Sequence, residues 1–153
     1  MLLSTLILSL TPTVFFQEPE ETKLEAAQRK VAELEAELGP EHLDVAEALD
    51  AVMMIHYGQA QYENAEEVCR RTMSIREKAL GPEHPDAAQS LNNLAALLDA
   101  QGSYAEARPL HERSLAIREK ALGPEHPNVA SSLINLAVLF QTQGSYSEAR
   151  PLY

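Results

Sequence analysis

Three of the five histidines in this chain close the same tetrapeptide, Gly-Pro-Glu-His, at residues 39–42, 81–84 and 123–126, an interval of 42 residues each time. Imidazole is a common metal ligand, so His42, His84 and His126 raise the prospect of a metal site. Metal ligands, however, must converge within a few ångströms of one ion, whereas copies of a stacked helical unit recur about 10 Å apart. The three loop histidines therefore do not share an ion, and each is expected to cap the helix before it or to pack beneath its own proline. His111-Glu112 lacks the second histidine of a metalloprotease H-E-x-x-H helix. Cys69 is the only cysteine, which excludes an intramolecular disulfide and a thiolate cluster. It reads as a small buried apolar residue rather than a reactive thiol. The many Asp and Glu residues could form an acid–base pair, but nothing in the sequence marks a pocket that would tune them. Phosphate-loop, nucleophile-elbow and kinase signatures are missing. The expectation is a protein without catalytic, cofactor-binding or metal-binding residues.

Charge narrows the partners. Lys and Arg number 12 against 23 Asp and Glu, for a formal charge of −11. Phosphate binding needs clustered cations that release counterions, so nucleic acid is not expected as a partner. Residues 1–17, MLLSTLILSLTPTVFFQ, are apolar, but the run is too short for a bilayer-spanning helix. Its length suits the hydrophobic region of a secretory signal, yet the basic n-region and the A-x-A cleavage site are lacking. Two readings stand: a signal, which makes the protein exported, or an apolar tail on a cytoplasmic chain.

The elements that carry these residues follow from the period. An invariant 42-residue step means one supersecondary unit copied and stacked, giving units 39–80, 81–122 and 123–153. Residues 18–38 precede them with apolar positions Leu24, Ala27, Val31, Leu34 and Leu38, a packing helix that reads as half a unit. Within the middle unit, Ala88, Leu91, Leu94, Ala95 and Leu98 mark one helix face. Ala107, Leu110, Ser114, Ile117 and Ala121 mark a second. Gly102 supplies a left-handed turn between them, and Ser103 with Glu106, like Ser145 with Glu148, has the form of a capping box. The first unit has Ala60 and Gln61 there, so its turn should be the least well defined. Pro109 and Pro151 fall inside second helices, where a bend is expected.

Leu91-x2-Leu94-Ala95-x2-Leu98 followed by Ala107-x3-His111 resembles the tetratricopeptide repeat, and so do Leu133 to Phe140 with Ala149-x3-Tyr153, and Leu49 to His56 with Ala65-x3-Cys69. Small residues stand where helices cross, except Met53 in the first unit. The long period, with LNNLA, QGSY, EARPL and LAIREKALGPEHP, looks like the repeats of kinesin light chains. The helix before Gly39 offers two heptads, fewer than a coiled coil needs. The resemblance implies an all-α, right-handed α–α superhelix (tetratricopeptide solenoid) of two full helix pairs and one truncated pair behind an N-terminal helix.

It also implies a non-catalytic protein- or peptide-binding scaffold whose groove is lined by the first helices. By that likeness the groove carries Glu47, Asp50, Ala51, Met54 and Tyr57, then Gln89, Asn92, Asn93, Ala96 and Asp99, then Ser131, Ile134, Asn135, Val138 and Gln141. No lysine or arginine is among them, so the expected partner is a neutral or basic extended peptide. Asn92, Asn93 and Asn135 are poor helix formers. They either hold a peptide main chain, as in related repeats, or bond a neighbouring helix. The alternative function is a structural self-assembly module, or a fragment of a longer repeat protein, joined through an open C-terminal end at which Leu133, Leu136, Ala137 and Phe140 keep an apolar face in water.

Overall fold

The structure is a computed structural model that describes residues 22–153; the segment 1–17 and the start of the half unit, 18–21, lie outside the described residues. The described chain forms helices α1 (Lys23–Leu38), α2 (Leu43–Gly58), α3 (Tyr62–Leu80), α4 (Pro85–Ala100), α5 (Tyr104–Leu122), α6 (Pro127–Thr142) and α7 (Tyr146–Ala149), the last running into a 3-10 turn at Arg150–Leu152. Each helix packs on the next, so α2–α3 and α4–α5 are full pairs, α6–α7 is a short one, and α1 leans on α2.

The Gly-Pro-Glu-His segment is a joint between units. Gly39, Gly81 and Gly123 have φ of 91°, 93° and 85° with ψ near 155°, a region only glycine enters without strain. Their N–H groups donate to Glu35, Glu77 and Glu119 C=O at 3.0 Å, closing the helix before. The histidines cap the helix that follows, not the one before. His42, His84 and His126 are extended N-caps whose Nδ1 accepts the N–H of Asp44, Asp86 and Asn128 at 3.2, 3.2 and 3.1 Å. That bond satisfies one of the four orphan donors of a helix start. Pro85 and Pro127 then occupy the first helical position, where a missing N–H costs nothing.

The joints within units differ from expectation in two ways. Ser103 and Ser145 make no side-chain cap bond. At φ −81° and ψ 52° Ser103 is not extended, and its backbone C=O takes the Glu106 N–H instead, at 3.0 Å. The true capping box lies at Thr22 and Glu25, where Thr22 is extended. Nor is the first turn poorly defined. Ala60 takes the left-handed role of Gly102, with φ 56° against 78°. The closing bond Gln61 N–H to His56 C=O (2.9 Å) matches that of Ser103 to Leu98 (2.8 Å). Helix α5 runs on through Pro109 to Leu122, while at Pro151 the α-helix gives way to the 3-10 turn.

The core is built from aliphatic and small side chains between successive helices. Met53 is buried against Cys69, Leu94 and Leu97, so the small Cys69 makes the room that a small residue at 53 would otherwise provide. The C-terminal face is more closed than expected. Leu136, Ala137 and Phe140 are 5%, 0% and 5% exposed, because Ala149 and Leu152 pack on them and the Arg108 guanidinium lies 4.8 Å over the Phe140 ring. The short α7 achieves this where a full second helix was assumed necessary.

Candidate functional site

The 42-residue step turns the first helices into rows. Glu47, Gln89 and Ser131 form one row; Asp50, Asn92 and Ile134 the next; Ala51, Asn93 and Asn135 a third; Met54, Ala96 and Val138 a fourth; Tyr57, Asp99 and Gln141 a fifth. The fourth row is an apolar strip. Met54 and Val138 are 60% and 49% exposed, with Tyr57 and Ile134 also exposed beside them. Tyr57 is held edge-on to Tyr62, ring centroids 5.7 Å apart.

Two clefts share Tyr57 and Ala96 and so make the strip continuous. One, of about 180 Å³, is lined by Met53, Met54, Tyr57, Asn93, Ala96 and Leu97. The other, of about 310 Å³, adds Asp99, Tyr104, His111, Asn135, Val138 and Thr142 among its walls. Concave, mostly apolar clefts with a few fixed polar groups are the usual form of a recognition surface.

The polar rows are bonded to one another. Asn135 Nδ2 donates to Asn92 Oδ1 at 2.9 Å, and Gln89 Nε2 to Asn93 Oδ1 at 2.7 Å. Each amide carries one acceptor and two N–H donors, so half-buried Asn135 keeps its oxygen and an N–H for a further partner.

The groove has basic counterweights, contrary to its reading from the first helices alone. Arg76 of α3 reaches through to Asp50 at 2.6 Å and to Ser90 Oγ at 2.9 Å. Burial pushes the Asp50 carboxyl up, and the Arg76 charge opposes that push. Arg118 of α5, buried, donates to Gln89 Oε1 at 2.5 Å, to Ser132 Oγ at 2.8 Å and to the Asn128 C=O at 3.1 Å; burial lowers its pKa. Asp99 Oδ2 lies 3.0 Å from His111 Nε2, and His111 is wholly buried. A signal existed: Arg76 and Arg118 are charged residues 42 apart on helix faces otherwise occupied by Cys69 and Met73, or His111 and Leu115.

Glu47 is the acid of this face that keeps no partner among the described residues. It shares a cleft of about 380 Å³ with Leu43, Asp44, Asp50, Arg76 and Asp86, where one guanidinium faces four carboxylates. Ser131 and Gln141 are exposed at the opposite end.

Away from the groove, Cys69 is buried, its Sγ 3.5 Å from the Ser90 carbonyl oxygen, and burial pushes its thiol up to about 12. It packs and does not react. Among the described residues no group of three or more His, Cys, Asp or Glu could hold a metal ion, and no helix is long and apolar enough to cross a membrane.

Comparison with known proteins agrees with this architecture. The family model described as tetratricopeptide repeat matches residues 54–120 and 91–153. No curated protein sequence matches the chain. Among solved structures, the chain resembles BtubC (BKLC) from P. vanneervenii at 26% identity and a TM-score of 0.74, covering 84% of this chain and 52% of that one. It resembles a putative kinesin light chain with nearly identical TPR-like repeats from Podosopora anserina at 30% identity and a TM-score of 0.74, covering 84% of this chain and 61% of that one. A Q17M form of the latter gives 29% and the same TM-score. The chain thus spans between half and two thirds of the length of these structures. The 42-residue helix pairs, the sequence match and the shared right-handed superhelix place the chain in the tetratricopeptide repeat family, in its kinesin-light-chain-like branch.

Proposed function

We propose that the chain is a non-catalytic scaffold that binds a protein partner through an extended peptide laid along α2, α4 and α6. The observation that carries this reading is the continuous apolar strip Met54, Tyr57, Ala96 and Val138, flanked by amides that are already oriented by their mutual bonds. Oriented donors and acceptors cost less to engage than free ones, because their rotamer entropy is spent on folding. Apolar side chains of the peptide would sit on the strip, and Asn135 would hold its main chain.

Asp50 is paired with the Arg76 guanidinium, which weakens its pull on a ligand, and one Asp99 oxygen is held by the His111 ring. Glu47, with Asp44 and Asp86 nearby, leaves the end near the first joint acidic. A neutral peptide with a basic residue directed to that end fits best, and complementarity of this kind acts mainly on encounter rate. A peptide-array screen followed by titration tests the reading. Basic-apolar peptides should bind, and Val138→Glu should weaken them by about tenfold or more, as expected when a charge replaces an apolar anchor of the strip. Selection of acidic peptides, or affinity untouched by Val138→Glu and Ala96→Glu, would overturn it.

A further inference from the structure

Asp99 and His111 form a pair that the 42-residue repeat does not explain. Their positions are taken by Tyr57 and Cys69 one unit earlier and by Gln141 and Tyr153 one unit later, so the pair occurs once among the described residues. What recurs at every step, such as the glycine joints and histidine caps, belongs to the architecture. A pair confined to one unit is not needed to build it.

The pair is also under-satisfied. His111 is wholly buried, and its Nε2 donates to Asp99 Oδ2 at 3.0 Å, because a carboxylate only accepts. In the neutral ring Nδ1 is then an acceptor, and among the described residues neither it nor Asp99 Oδ1 has a donor. A buried acceptor without a donor costs free energy that a donor would recover. Asp50 also leaves one oxygen bare, but the Arg76 guanidinium holds the other at 2.6 Å, whereas no lysine or arginine pairs with Asp99 among the described residues.

Both residues line the larger groove cleft, of about 310 Å³, where the Asp99 side chain is 24% exposed. Tyr57 and Tyr104 stand among its walls, and Asn135 contributes an amide oxygen that accepts no bond. No lysine or arginine lines it. An oriented carboxylate and a spare amide oxygen beside two phenol rings fit a guanidinium. That group brings five N–H donors in one plane, is weakly hydrated and stacks on aromatic faces, whereas an ammonium is held more tightly by water. The volume is at the lower end for ligand clefts and suits a single side chain.

We propose that this cleft is a specificity pocket for an arginine side chain of the partner. The guanidinium meets the open side of the Asp99 carboxylate, and His111 holds that carboxylate from the core side. The inference rests on the groove reading for the partner's approach and adds to it a second basic residue, besides the one directed to the Glu47 end.

The probe is capped arginine, N-acetylarginine methylamide, compared by NMR titration of the full chain with its lysine and neutral citrulline counterparts. Arginine should bind about tenfold more tightly than citrulline, with lysine between them. Shifts should concentrate at Tyr57, Asp99, Tyr104 and Asn135. Asp99→Asn keeps an oxygen for the His111 N–H and should abolish the preference for arginine over citrulline, while Glu47→Gln should leave it intact. If Asp99→Asn loses helicity by circular dichroism, Tyr57→Leu, which alters an exposed ring, should weaken arginine by about threefold. Equal binding of arginine and citrulline, shifts centred on Glu47 and Asp86, or a preference that survives Asp99→Asn would overturn the inference and leave the groove reading intact. Arginine selectivity that depends on Asp99, together with peptide affinity indifferent to Val138→Glu, would sink the extended-peptide reading and keep the arginine pocket.

Discussion

The two ends of the array treat one structural position in opposite ways. In α3 and α5 the face turned to the preceding first helix carries Ala65, Val68, Thr72 and Ile75, or Ala107, Leu110, Ser114 and Ile117, all buried or nearly so. At the same register α1 carries Lys23, Ala26, Lys30 and Glu33, and three of these four are exposed charged residues. In the last unit α6 leaves Ala130 exposed and Leu133 half-buried where α4 buries Ala88 and Leu91. A repeat carries an apolar face only where a neighbour covers it, and a polar substitution at that register is how an array closes. Composition along a single helix register therefore follows which faces are covered by a neighbouring helix among the described residues.

The largest test of this contrast compares equivalent leucines. Leu91→Ala removes a fully covered side chain and should cost about 3 kcal/mol, within the usual range for buried leucine, while Leu133→Ala should cost about 2 kcal/mol because Leu133 is only partly covered. Urea denaturation measures both. Equal losses would show that α6 is already covered over its first turns and would remove the asymmetry between the ends.

Much of this was legible in the sequence, and the exceptions have physical reasons. Period, helix faces, glycine turns and family were readable because each is set by residues close in sequence. The loop histidines were assigned to the wrong helix, since the choice depends on whether residue 42, 84 or 126 is extended, and extension points Nδ1 forward. Ser103 fails as a side-chain cap for the converse reason, being held at ψ 52° by the tight turn that starts at Gly102. The groove's charge was misread because arginine is long enough to cross from a second helix to the face lined by the first helices. The ion pairs of Arg71 with Glu35, Arg113 with Glu77, Lys78 with Glu41 and Lys120 with Glu83 were visible as a 42-residue charge pattern, but only the structure shows that acid and base meet.

A smaller effect comes from the two arginines that reach the groove, half-buried Arg76 and buried Arg118. Arg76 has a carboxylate partner in Asp50, whereas Arg118 is buried against the neutral Gln89, and its Nε finds no partner. Gln89→Glu gives Arg118 what Asp50 gives Arg76. A charged hydrogen bond in place of a neutral one should stabilise the fold by about 0.5 kcal/mol after desolvation of the new carboxylate and its repulsion from Glu47, once the Asn93 amide turns to donate to the carboxylate that replaces the Gln89 N–H it now accepts. The gain should be largely insensitive to salt, because a buried pair is poorly screened. Destabilisation by Gln89→Glu in thermal melts would mean that the guanidinium at this end is better served by a neutral shell, and that the two ends differ in charge logic as well as in closure.

An effect of similar size concerns the turns. Ala60 occupies a left-handed conformation, φ 56°, that Gly102 and Gly144 occupy in the later units at 78° and 76°. Left-handed backbone costs alanine about 1–2 kcal/mol, and the greater freedom that glycine loses on folding offsets about 0.4–1 kcal/mol of that. Ala60→Gly should therefore stabilise the N-terminal unit by about 0.5–1 kcal/mol, while Gly102→Ala should destabilise the middle one by a similar amount. No atom lies within 4 Å of a Cβ built on Gly102, so that loss would come from backbone strain alone and not from a clash. Matched denaturation curves of the two variants, opposite in sign, would show that the first turn is strained even though its hydrogen bonds are as short as those of the others. If Ala60→Gly gives no gain, the closing bond from Gln61 to His56 already compensates the strain. The polar N-terminal end would then be as relaxed as the glycine-turned end it is compared with.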